Sequence, residues 1–231
     1  RRQSGRRSGQ RGRRRQPGIV TNQIPASFDI AKAGIVQSNQ VLALAIGQGY
    51  SRAAGPGFII LAGNERIGKV IDLRPHVRRQ PVRANSRDGI PVETTITVVF
   101  RVRQSLADHD DEFMPHPYDP EAIFHVSYAA SIDVEDRLRP WQEQITPRAA
   151  AMLGQEIGRY NLDTLYQADG GGITLIDTIG RQVQARLDRE VAADGIEVLL
   201  VTMDLFTFPD RVVDQRIKSW AAEWQRQIER Q

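Results

Sequence analysis

The stretch RAAGPGFIILAGNERIGKVIDLRP, Arg52 to Pro75, decides how this chain is read. It sets four glycines and two prolines around a short apolar run, then ends on a charged, extended segment. Gly55-Pro56-Gly57 is either a phosphate-binding loop or a turn that opens a strand. A dinucleotide loop needs Gly-x-Gly-x-x-Gly running into a helix, and a P-loop needs a lysine after its glycines. Neither pattern is present, and Pro56 would remove one amide donor from any phosphate cradle. Glycine permits positive φ and proline fixes its own φ, so the triplet reads as a sharp structural turn that sets up a strand at Phe58–Leu61.

Working outward, the neighbouring segments read as strands. In Val41–Ile46 both alternating sets are apolar, which predicts a strand covered on both faces. Ser38-Asn39-Gln40 before it reads as a hairpin turn. Phe58–Leu61 reads as a second buried strand and Lys69–Leu73 as a third. Val82–Arg103 carries the clearest signal: a strand, a turn at Arg87-Asp88-Gly89, then a long strand. Val92, Thr94, Ile96, Val98 and Phe100 fall on one face; Glu93, Thr95, Thr97, Val99 and Arg101 fall on the other.

The second half reads mainly as helices. Leu106–Tyr118 is a polar, proline-bearing loop. Asp119-Pro120-Glu121 then has the form of a helix start, with Asp as N-cap and Pro at the first helical position. Ser131–Gly158 carries apolar residues at Leu138, Trp141, Ile145, Ala149, Met152 and Leu153, a helical spacing with a break at Pro140 or Pro147. Asp133, Glu135 and Asp136 read as a charge run at that helix start. Gly170–Gly172 reads as a joint, followed by a regular helix over Ile173–Ala193 with Leu175, Ile179, Val183 and Leu187 on one stripe. Asp194-Gly195 ends it, and IEVLLVTMDLFTF reads as a long final strand. After Pro209-Asp210, Arg211–Gln231 opens a last helix with Val213, Ile217, Trp220, Trp224 and Ile228 at helical spacing. Such a stripe must be buried somewhere, and we expect a coiled coil or a neighbouring subunit rather than the chain's own domain.

Composition narrows the function. The 231 residues suffice for one large domain or two small ones. There is no cysteine, so disulfides and thiolate metal sites are excluded. Residues 1–15 hold eight arginines, Arg1, Arg2, Arg6, Arg7, Arg11, Arg13, Arg14 and Arg15, and no acid. Without them the chain has 23 basic and 28 acidic residues, a net of −5. The body is therefore mildly acidic and only the head is basic. Arg1–Gly18 reads as a disordered, anion-seeking segment for lipid headgroups or nucleic acid. No run of about 18 apolar residues is present, so no membrane-spanning helix is expected within the chain. A first residue of arginine rather than methionine reads as an excerpt or a processed form of a longer chain.

No catalytic constellation emerges. His109-Asp110-Asp111-Glu112 with His116 lies in a polar loop without metal-ligand spacing and reads as a solvated acidic loop. His76 and His125 have no evident partners. Gly170–Gly172 precedes a helix and would present amides to an anion, but has no lysine or hydroxyl at the required offset. No cofactor is expected.

The order of these parts resembles the SPFH domain (stomatin, prohibitin, flotillin; band 7). The residues that carry the resemblance are Gly55-Pro56-Gly57, Asp72-Leu73-Arg74 and Ser86-Arg87-Asp88-Gly89-Ile90-Pro91-Val92. Downstream they are Pro147–Tyr166 and the helix–strand–helix run from Ala185 to Ile217. The resemblance covers about Ala26 to Gln231; the loop Leu106–Tyr118 and the head depart from it. It implies an α+β fold, a small twisted, mostly antiparallel sheet packed by helices, with the start of a long coiled-coil helix at the C-terminus. It divides the chain into an Arg-rich juxtamembrane segment (1–25), the SPFH-like domain (26–210) and an oligomerisation helix (211–231). It implies no enzyme activity, and a scaffold that assembles with itself or a paralogue into rings or cages enclosing a membrane patch. Membrane lipids, and a membrane protease or other membrane protein, would be its partners. The anchor would lie upstream and the domain on the cytoplasmic face of the cell membrane, with the head arginines against anionic lipid. On this reading no nucleic acid is expected; the alternative is an oligomeric polyanion- or nucleic-acid-binding protein that uses the head.

Overall fold

In a computed structural model of the chain, residues 32–105, 115–132, 135–169 and 173–229 are described. The fold is α+β, with small antiparallel sheets and helices. The first sheet has the order β3-β2-β5, from β2 (Gln40–Ile46), β3 (Gly49–Ala54) and β5 (Glu65–Asp72). A two-stranded ribbon pairs β1 (Ala33–Val36) with β4 (Gly57–Ile60). The second sheet has the order β10-β7-β6, from β6 (His76–Asn85), β7 (Pro91–Val102) and β10 (Ile196–Met203).

The long strand forms as its period predicts. Val92, Ile96, Val98 and Phe100 are sealed from solvent on one face of β7, and Thr94 joins them by donating its hydroxyl to the Asp204 carbonyl. Helices cover that face: α2 (Ile145–Ile157) packs on β6 and β7, and α4 (Ile173–Val191) on β10. Ile179, Val183 and Leu187 are the buried stripe of α4, as the four-residue recurrence requires. The helix α3 (Leu162–Asp169) closes beside α4. The helix α1 (Pro120–Tyr128) begins at the expected cap, where the Asp119 side chain accepts from the Glu121 amide. It lies on β2 and β3 and buries Ala122, Ile123 and Val126. Gly195, left-handed at φ 76°, ends the turn after α4.

Several expectations are corrected. Ser38 and Asn39 do form a turn, but not a hairpin: β1 leaves it to pair with β4, while β2 pairs with β3 and β5. Phe58–Leu61 is not a buried strand, because a ribbon of two strands has only one face to bury. Ile59 and Leu61 pack inward, while Phe58 is 69% exposed. The described residues of 131–139 are not helical. Two short strands, β8 (Ser131–Ile132) and β9 (Leu138–Arg139), pair antiparallel there, with Leu138 exposed. Asp136 therefore sits in a turn at φ 56°, not at a helix start, and Asp133 lies outside the described residues. Proline supplies the reason: Pro140 precedes the turn Trp141–Glu143, and helix begins only at Ile145, with Pro147 in its first turn, where its missing amide costs nothing. The final strand ends at Met203, earlier than its apolar run, after a bulge between Val198 and Leu200.

The first sheet is clamped by one buried carboxylate. Glu65 receives Nε and Nη2 of Arg52, the Ser51 hydroxyl and the Ala62 amide, at 2.9–3.0 Å. These donors, Arg52 foremost, hold its pKa down to about 2. The bonds tie β3 to β5 and fix the start of the loop that leaves β4. A depressed carboxylate pKa stabilises the fold above the unfolded value, and that contribution fades as pH falls toward the folded value. Glu65→Gln is expected to cost about 2 kcal/mol at neutral pH, at the modest end because Arg52 is half exposed. In urea unfolding measured against pH, the gap between the two proteins should close between about pH 4.5 and pH 2; a gap that persists below that window would remove the clamp.

Candidate membrane-facing and assembly surfaces

The Gly55-Pro56-Gly57 turn links β3 to β4, and its two glycines answer different demands. Gly57 has φ 111°, outside the range of ordinary side chains. Gly55 is under steric constraint instead: a Cβ there would come within 2.6 Å of the Tyr118 hydroxyl. The turn is thus the floor on which Tyr118 rests, just before α1. No helix follows it, and β4 begins at Gly57.

This turn sets the orientation of the ribbon. The register pairs Ile35 with Phe58 and Ala33 with Ile60. Because alternate residues share a face, Ile35, Phe58 and Ile60 lie on one side. All three are exposed. The other side, through Val36 and Ile59, covers Leu42, Leu44 and Ala54 in a small second core. The ribbon therefore displays a continuous apolar face with no charged residue on it. No alternation in Phe58-Ile59-Ile60 marks this face, because all three are apolar and both faces read as core.

The C-terminal helix α5 (Asp210–Glu229) divides the predicted stripe. Val213 packs against the main core, and Trp220 lies edge-on to Tyr166 of α3, 5.2 Å between ring centroids. Arg216 stacks over the Trp220 ring within the helix and pairs with Asp163, so this half of the helix is held to α3 by an aromatic and an ionic contact. Ile217, Trp224 and Ile228 are exposed, Trp224 and Ile228 by 68% each. The stripe begins on the domain and runs off it.

The remaining candidates separate. Arg1, Arg2, Arg6, Arg7, Arg11, Arg13, Arg14 and Arg15 lie outside the described residues, as do His109–Glu112 and Gly170–Gly172. Arg103 and Asp119 are pinned to each other: their side chains pair at 2.7 Å, and the Asp119 amide donates to the Arg103 carbonyl. His76 does have neighbours, which its sequence context conceals. It stacks on Phe100 and meets Trp141 edge-on at 5.1 Å, and burial lowers its pKa. His125 stands one turn from Glu121 on α1. Among the described residues, no three His, Asp or Glu side chains gather as a metal site, and no helix is long and apolar enough to cross a membrane.

The fold agrees with the comparison to known families. The model of the SPFH domain / Band 7 family matches residues 34–231, and the chain belongs to that family. Family members are membrane-associated scaffolds and are generally non-catalytic. Compared with individual curated proteins, the chain has no significant match.

The glycine pair gives a contrast. Gly55→Ala should displace the Tyr118 ring and change the near-UV circular dichroism, with a loss of about 1–3 kcal/mol. Gly57→Ala should destabilise through backbone strain, by about 1–2 kcal/mol, and leave the tyrosine signal unchanged. Identical spectra for the two variants would contradict the assignment.

Proposed function

We propose that this protein is a non-catalytic, membrane-associated scaffold that homo-oligomerises into a ring or cage and organises a patch of membrane or the proteins within it. The observation that carries this reading is the half-covered stripe of α5. A helix that packs Val213 and Trp220, half-buried, against its own domain while leaving Ile217, Trp224 and Ile228 in water has an unfinished interface. Its seven- and four-residue intervals suit a partner helix. The oligomerisation set Val213, Ile217, Trp220, Trp224 and Ile228 then works in two parts, Val213 and Trp220 as the socket on the domain and Ile217, Trp224 and Ile228 as the contact.

Two features support a membrane role. The ribbon face of Ile35, Phe58 and Ile60 supplies apolar surface, and the head arginines at positions 1–15 supply attraction to anionic lipid. On this reading the division into head (1–25), domain (26–210) and assembly helix (211–231) is functional, with the last boundary softened by the Trp220–Tyr166 contact. The domain faces the cytoplasm, and a membrane protease or other membrane protein is held within the assembly.

Two experiments test the proposal. Trp224→Ala with Ile228→Ala should lower the mass seen by light scattering while leaving the melting transition within about 0.5 kcal/mol of wild type. Trp220→Ala should instead destabilise the fold by about 2 kcal/mol, because it empties a packed aromatic site. Unchanged assembly in the double variant would defeat the role given to α5. Phe58→Ser with Ile60→Ser should weaken binding to anionic vesicles at every salt concentration, whereas replacing the head arginines by Gln should weaken it chiefly at low salt. Binding of duplex nucleic acid by the head, with no binding to vesicles, would favour the polyanion-binding alternative.

A further inference from the structure

We infer that the cleft between the first sheet and the C-terminal end of α1 is a binding site for a small oxyanion, a phosphate monoester or a group of like charge. The cleft lies on the sheet face opposite the ribbon, so it is separate from the proposed membrane contact and from α5.

Two β-bulges build it. In a regular strand Arg66 and Lys69 would point to opposite faces, because side chains alternate. The register of β5 against β2 shifts between Ala43, opposite Lys69, and Leu44, opposite Ile67, so Gly68 is the extra residue. That bulge turns Arg66 and Lys69 to the same face. On the other side of β2 the register shifts between Leu44, opposite Arg52, and Ala45, opposite Tyr50. This second bulge brings Tyr50 round to the same face. The floor between them is made of Ala43, Ala45 and Gly68, the smallest side chains available, and a Cβ on Gly68 would stand 3.0 Å from the Ala43 carbonyl oxygen. The result is a cavity of about 240 Å³ open to solvent.

Its polar lining is rich in donors and lacks carboxylates. Arg66, Lys69, Gln48 and Tyr128 face it, and no acidic side chain lines it. Among the described residues neither Arg66 nor Lys69 pairs with a carboxylate; each donates to a backbone carbonyl instead, of Gly47 and Ser127 respectively. Each keeps further hydrogens for a ligand. The Tyr128 oxygen already accepts the Tyr50 amide at 2.8 Å, which leaves its hydroxyl hydrogen to be donated into the cleft. Two exposed cations on one wall of the cleft, with no carboxylate beside them, set up a local positive potential that favours a bound anion. Lys69 also caps the last turn of α1, which explains one cation but not the bulge that aligns Arg66 with it. Burial also lowers the pKa of the Lys69 ammonium, consistent with an incompletely solvated charge.

The test is calorimetric titration of the whole chain with inorganic phosphate and with glycerol phosphate, alongside co-sedimentation with vesicles of phosphatidic acid in phosphatidylcholine. Saturable binding of at least one probe is expected, weakened about tenfold by Arg66→Gln or Lys69→Gln. Ala45→Leu fills the floor, leaves every charge in place, and should weaken binding as much. Arg78→Gln on β6 should change nothing. Soluble phosphates alone would mark a free phosphate ligand; phosphatidic acid alone, with the same sensitivity to Ala45→Leu, would mark a lipid headgroup. If Lys69→Gln lowers the melting temperature by uncapping α1, Arg66→Gln and Ala45→Leu carry the decision. No saturable binding of any probe overturns the assignment, as does equal loss in Arg78→Gln.

Discussion

Strand β7 is paired along both of its edges, with β6 on one side and β10 on the other, and one of its faces is sealed from Val92 to Val102. Period-two alternation leaves a strand in that position a single way to lie, since a slip of one residue would carry Glu93 and Arg101 into the core and Phe100 into water. The other main elements refer to this constraint. The helices α2 and α4 pack on the apolar face it presents, and Phe100 anchors the aromatic seam with His76 and Trp141 where the two sheets meet. The chain that leaves β10 returns along β7 through the Glu93–Thr207 bridge and delivers α5 to its place on α3.

The first sheet works under the opposite constraint. It is short, and both its faces must be used: one under the ribbon, one under α1. Regular alternation cannot supply apolar residues to both faces and still hold the cations and Tyr50 where they stand. The two bulges resolve this by re-aiming single side chains, and the Glu65 clamp holds the irregular strands together from the ribbon side. Among the described residues nothing covers the ribbon's outer face. This exposed apolar surface is the one that the proposed membrane contact would use.

The candidate surfaces were legible in unequal measure. The α5 stripe is visible in the spacing of Val213, Ile217, Trp220, Trp224 and Ile228, because helical period is local. Its division into a docked and a free half is not, since that depends on where Tyr166 and Asp163 arrive from another helix. Phe58 and Ile60 read as core because hydrophobicity carries no record of which strand will pair with which. The Arg66–Lys69 alignment is hidden for the same reason: a bulge is a property of a pair of strands. Leu138 misled because its spacing to Trp141 and Ile145 fits a helix that Pro140 does not allow to start until later.

By itself the sequence determined the long hairpin at Asp88-Gly89, the capped start of α1, the stripe of α4, the left-handed stop at Gly195 and the order of parts that marks the family. Each is written in neighbours a few residues apart, where backbone sterics, capping and periodicity act directly. Tertiary structure alone decided which apolar residues stay in water, which cations share a face and how far α5 is held. Those outcomes depend on contacts between segments distant in the chain, where burial is a property of the partner as much as of the residue.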